Sequence, residues 1–215
     1  MKKKLIIALV ALGMTLGVSA QARWGVEAGV NIGHGFETNG TKAGFNMGMT
    51  GEFTAPNNWY MDGAIKLSSQ PCGNTFDWGT EIASFHEIRN YTPYYLTLSA
   101  RILGHSYRLS PTMNLTWSIG PVAGVGLFGR SHIKSVSYQG GQAETIRDLH
   151  SNNLFSHSID GFSTSRFEAG ASVRLSTTLL SHYRAGVEYN LLHIIGADKA
   201  IDNLHLFSIN LGYVF

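Results

Sequence analysis

Past residue 22 the chain alternates between apolar and polar residues with a period of two, the mark of strands with two chemically different faces. In RWGVEAGVNIG, Trp24, Val26, Ala28, Val30 and Ile32 share one face, and Gly25, Glu27, Gly29 and Asn31 share the other. In GFNMGMTGEF, Phe45, Met47, Met49 and Phe53 oppose Asn46, Gly48, Thr50 and Glu52. In WYMDGAIKLS, Trp59, Met61, Ile65 and Leu67 oppose Asp62, Lys66 and Ser68. The same pattern recurs in YYLTLSARI, NLTWSIGPVAGVGLF, RFEAGASVRL, YRAGVEYNL and FSINLGYVF, which predicts eight strands. No segment sustains an apolar stripe of helical period.

The connections alternate as well. TAPNN, GHSYRLSP and TTLLSH are short, whereas those at the other end are generally longer, two of them spanning about residues 69–91 and 129–165. Short turns at one end and long loops at the other predict an all-β, up-and-down antiparallel transmembrane barrel of eight strands. Ten strands stay open if TEIASFHEI or HIKSVSYQ adds staves.

Alternation does not say which face meets water. The polar face is largely Gly, Ser, Asn and Thr, too small and too poor in charge for a soluble barrel's exterior but suited to a narrow lumen. Its charges are Glu27, Glu52, Asp62, Glu168 and Glu188 against Lys66, Arg101, Arg166, Arg174 and Arg184. By height they fall into two neutral sets, with Lys66, Arg166, Glu168 and Glu188 the upper one. Charges in so dry a space must be paired, so the expectation is an internal plug. A pore lining is the alternative.

The aromatic residues sort by height into two belts, as at the two membrane–water interfaces. Trp24, Phe53, Trp59, Trp117, Tyr183, Tyr213 and Phe215 fall near the rim that holds the chain ends, and Tyr94, Phe128, Phe167, Tyr189 and Phe207 near the other. Phe128 breaks the face pattern and is expected in a loop.

Composition agrees. Charged residues are 14% of the chain, against about 25% in an ordinary soluble domain. The opening MKKKLIIALVALGMTLGVSAQA has the three-part layout of a secretory signal, with cleavage expected after Ala22. Its loss removes three lysines and takes the formal net charge from +2 to −1. Residues 23–215 then form one domain, with no basic patch for nucleic acid. The single cysteine, Cys72, lies in SSQPCGNTFDWG, expected to be a loop with a free thiol.

The segments WGVEAGVNIG, FNMGMTGEF, YYLTLSARI, SIGPVAGVGL, EAGASVRL, AGVEYNL and NLGYVF together resemble the Bacteroidota outer-membrane β-barrel domain family often called PorT-like. The resemblance implies an integral protein of the bacterial outer membrane in contact with its lipid. It also implies that Leu211, Tyr213 and the terminal Phe215 form a signal read by the barrel-assembly machinery, with periplasmic chaperones as transient partners.

Little suggests chemistry. His132, His150 and His157 fall in the longest expected loop, without the close spacing of a metal motif. Cys72 has no recognisable base partner, and GPVAGVG belongs to a strand, not a phosphate loop. LHSNNLF faintly resembles the His-x-Ser-Asn motif of lipid A deacylase barrels, but His150 and Ser151 are adjacent and would face opposite sides of a strand. The sequence therefore predicts a non-enzymatic barrel without cofactor or metal. Its role is envelope-structural or surface recognition, toward an extracellular partner left unspecified. A narrow channel is the alternative, and a lipid A-modifying enzyme a less favoured one.

Overall fold

A computed structural model describes residues 21–35, 41–79, 83–139, 142–152, 154–155, 165–195 and 203–215. The expected signal lies outside them up to residue 20. Gln21 and Ala22 already pair with Thr54 and Phe53. Eleven strands follow in order: β1 (Gln21–Gly35), β2 (Lys42–Thr54), β3 (Tyr60–Ser69), β4 (Cys72–Gly79), β5 (Ala83–Arg101), β6 (Leu103–Ser110), β7 (Met113–Gln139), β8 (Gln142–Ser151), β9 (Phe167–Leu179), β10 (Tyr183–Ile195) and β11 (Asn203–Val214).

Eight of them close a ring. The antiparallel pairs run β1–β2, β2–β3, β3–β5, β5–β7, β7–β9, β9–β10 and β10–β11, and β11 returns to β1 from Gly25↔Val214 to Gly35↔Leu204. Closure leaves no free edge within the ring, as a strand structure in lipid requires.

The other three strands continue staves of the ring or fold back on them. β4 prolongs β3 past Gln70 and Pro71 and keeps its register on β5, Ser69↔Tyr94 giving way to Cys72↔Tyr91. β6 prolongs β5 past Ile102, where the pairing with β7 slips by one residue between Ser99↔Val122 and Leu103↔Ile119. β8 folds back on β7, from Gln139↔Gln142 to Ser131↔Ser151. The described part of TEIASFHEI, from Ala83 on, and HIKSVSYQ thus lengthen staves without adding any, and the barrel has eight.

Most of the two expected long loops is therefore strand. β4, the first half of β5, the second half of β7 and β8 form a four-stranded sheet that leaves the barrel at the end opposite the chain termini. Roughly ten tilted residues cross a bilayer, and β7 has 27.

The barrel is inside out relative to a soluble protein. Val30, Met49, Ile65, Leu98, Leu175 and Ile209 are exposed, while Glu27, Asn31, Thr50, Asp62, Arg101, Ser172 and Asn210 are buried. Phe128 lies in β7 and not in a loop. A bulge at Leu127, between Tyr94↔Phe128 and Tyr95↔Gly126, turns both Leu127 and Phe128 outward. Cys72 is buried on β4 and not in a loop, packed with Tyr91, Leu154 and Ile194.

The turns at the terminal end are tight. Between β9 and β10, Leu180 and Ser181 both have positive φ, 51° and 63°, and His182 N–H donates to Leu179 O at 3.1 Å. Two left-handed residues at the centre of the turn match the twist of the strands they join.

Candidate functional site

Six charged side chains from five staves meet in the lumen. Arg101 on β5 donates from Nε and Nη2 to the two oxygens of Asp62 on β3, both at 2.8 Å. Its Nη1 lies 3.2 Å from Glu188 on β10. Lys66 on β3 bridges Glu27 on β1 and Glu188, at 2.6 Å each. Arg174 on β9 pairs with Glu27 and reaches Asp62 at 3.5 Å. Three carboxylates thus balance three cations, and the Ser118 hydroxyl adds a 2.7 Å bond to Asp62.

Glycine on the lumen face lets neighbouring staves approach closely. A Cβ at Gly48, opposite Lys66, would stand 2.0 Å from Ile65 O and 2.7 Å from Lys66 Cα. The strand face that is polar in the sequence is therefore cramped as well as polar.

The division into two charge sets by height does not hold. Lys66 and Glu188 join Glu27, Asp62, Arg101 and Arg174, because long side chains cross the lumen and do not stay at their own level. Glu52 pairs separately with Arg184, with Arg23 at 2.5 Å and with the Tyr60 hydroxyl at 2.9 Å. Glu168 is buried but bonds Gln70 Nε2 at 2.9 Å, with no cation among the described residues. Arg166 lies outside the lumen: it precedes β9, is exposed, and sits 6.0 Å over the Phe155 ring.

Above the ions the lumen is filled first by amides and hydroxyls, then by hydrocarbon. Asn31 takes hydrogen bonds from Asn46 at 2.6 Å and Ser208 at 2.7 Å, and gives one to Ser68 at 2.9 Å. Val122, Leu192, Leu204 and Leu206 form an apolar layer beyond. A lumen cavity among Asn31, Lys66, Gln70, Ser99 and Glu188 holds about 20 Å³, close to the minimum for a single water.

Several of the expected aromatic residues are exposed and meet one another near the strand ends. At the terminal rim, Trp24 is 65% and Phe215 68% exposed, and Phe215 N–H donates to Trp24 O at 2.7 Å. Tyr213 meets Tyr183 and Phe215 edge-on, each at 5.7 Å. Trp117 and Leu211 also face outward. Phe53 and Trp59 are half-buried, and Trp59 is bridged to His105. At the far rim, Tyr94 stacks on Phe128 at 4.5 Å and meets Phe45 at 6.1 Å.

The projecting sheet carries groupings that the sequence hides. His132 on β7 and His150 on β8 are direct cross-strand partners. Their rings stack at 4.1 Å, 9° from parallel. Both Nε2 atoms converge on one oxygen of Asp148, at 2.9 and 3.0 Å. The hydrogen bond with His132 holds the Asp148 carboxyl below the usual carboxylate range. The three residues have metal-ligand spacing in space, which 16 and 18 residues of separation in the chain conceal. His157 lies outside the described residues. His150 and Ser151 occupy consecutive positions of β8, so their side chains leave opposite faces. Elsewhere on the same sheet, Trp78 on β4 stacks on Phe85 of β5 at 4.5 Å, and His86 pairs with Asp77.

A closed antiparallel ring with an apolar exterior, aromatic rims and an ion-paired interior defines a transmembrane β-barrel of the bacterial outer membrane. The chain belongs to the outer membrane protein beta-barrel domain family, whose family model matches residues 6–215. Among solved structures it is similar to Ail, the attachment invasion locus protein of Yersinia pestis. The two are 10% identical with a TM-score of 0.39, over 92% of this chain and 100% of that one. Neisserial surface protein A is also similar, at 10% identity and a TM-score of 0.36, over 91% and 97% of the two chains. No curated protein sequence matches the chain.

Proposed function

We propose that the protein is a non-conducting, non-enzymatic surface protein whose barrel anchors an outward-facing recognition sheet. The observation that carries this reading is the four-stranded extension of β4, β5, β7 and β8, which exposes Trp78, Tyr138, Ile146 and the histidine pair away from the barrel wall. Exposed aromatic and histidine side chains on a rigid frame suit contact with another surface better than a floppy, charged loop would. With the chain ends and the short turns in the periplasm, the sheet stands outside the cell.

The segments WGVEAGVNIG and NLGYVF support a PorT-like member of the family. Leu211, Tyr213 and Phe215 serve assembly by the barrel-assembly machinery, after periplasmic chaperones have carried the chain and the signal has been removed. The paired lumen charges serve as a plug. The test is a chain with residues 76–87 and 134–148 replaced by short polar turns. Cells carrying it should keep a heat-modifiable barrel and lose binding to the surfaces that cells with the full chain hold. Unchanged adhesion would contradict a recognition role.

A further inference from the structure

We propose that His132, Asp148 and His150 form a binding site for one borderline divalent transition-metal ion, Zn²⁺ or Cu²⁺, on the outward sheet. Two imidazole nitrogens and a carboxylate oxygen are a donor set suited to these ions, whereas Mg²⁺ and Ca²⁺ prefer oxygen alone. Donors on one tetrahedral zinc stand about 3.3 Å apart, from bond lengths near 2.0–2.1 Å. Here each Nε2 already lies at 2.9 or 3.0 Å from the shared Asp148 oxygen, and all three donor atoms fall within 4.8 Å of one another. Rotation of the two stacked imidazoles about their side-chain bonds would turn both nitrogen lone pairs onto one ion held by the Asp148 oxygen.

Strand pairing holds the site. His132 and His150 face each other across the β7–β8 ladder, which fixes both Cβ positions, and both Nε2 atoms meet the same Asp148 oxygen. The residues are exposed or half-buried, so a fourth position stays open to water or to a ligand from another surface. Lys134, the cross-strand neighbour of Asp148, opposes binding by its charge. The affinity should therefore sit below that of buried structural zinc sites.

The test uses the full chain refolded in detergent, titrated calorimetrically with ZnCl₂ and examined with Cu²⁺ by electron paramagnetic resonance. One ion per chain is expected, with nitrogen hyperfine structure from two imidazoles in the copper spectrum. His132→Ala combined with His150→Ala should weaken Zn²⁺ binding at least about tenfold, and H86A should leave it unchanged. A heat-dependent gel shift confirms that each variant is folded. Absence of Zn²⁺ binding, survival of binding in the double variant, or a copper spectrum of the unaltered chain without imidazole nitrogen would each overturn the site.

Discussion

Cys72 shows how far a single residue can depart from its local sequence. Its neighbours Gln70, Pro71 and Gly73 suggest a turn, yet the chain stays extended, because Tyr91 and Asn90 on β5 pair with Cys72 and Gly73. Burial pushes the thiol up to about 12, so at neutral pH it remains protonated and lacks the thiolate that alkylating agents attack. Native protein should resist N-ethylmaleimide at pH 7.5 and be labelled once unfolded, read by mass spectrometry. Complete labelling of the folded barrel would place the thiol in water.

The lumen charges were legible as a set, since alternation puts Asp62, Lys66, Arg101, Arg174 and Glu188 on the polar face. Their partners were not, because pairing depends on strand tilt and on which side chains are long enough to cross. Arg166 departs from the set for a related reason: it is in phase with the polar face of β9, but the strand begins one residue later, at Phe167. Replacing Arg101 by Ala leaves Asp62 buried without its bidentate partner and should cost about 3–5 kcal/mol. Adding Asp62→Leu to Arg101→Met should recover most of that loss. Urea unfolding in lipid vesicles measures both; an additive pair would deny the coupling.

At the scale of elements, the apolar rows identified the eight staves, because a lipid-facing strand must show hydrocarbon at every second position. β4 and β8 carry no such demand. Both stand beyond the barrel, with sequences such as CGNTFDWG and QAETIRDLHS that read as loop. They are strands because β5 and β7 extend past the rim and offer free edges. The same cause hid the His132, Asp148 and His150 cluster, which exists only once β8 is paired.

The β9–β10 turn is also an element-level feature. Leu180 and Ser181 hold φ values natural to glycine or asparagine, and a left-handed residue costs roughly 1–2 kcal/mol. Ser181→Gly should raise stability by about 1 kcal/mol, seen as a higher urea midpoint with an unchanged slope. A lower midpoint would show that the hydroxyl matters more than the strain.

For the whole molecule, the low share of charge and the alternation of small polar with apolar residues pointed to the membrane. Phe215 donates its amide to Trp24 O and ties the end of β11 to β1 at the rim. What alternation alone could not decide was whether the lumen conducts. The plug we propose consists of the ionic core, the amide belt and the apolar layer above it, with a cavity of about 20 Å³ among Asn31, Lys66, Gln70, Ser99 and Glu188. The decisive measurement is conductance of the purified full chain in planar lipid bilayers. Closed, noise-level traces are expected even at high voltage and 1 M salt, where the Debye length is only about 3 Å. Steady unitary currents that change with Lys66→Ala or Arg101→Ala would show an open pore and contradict the plugged barrel.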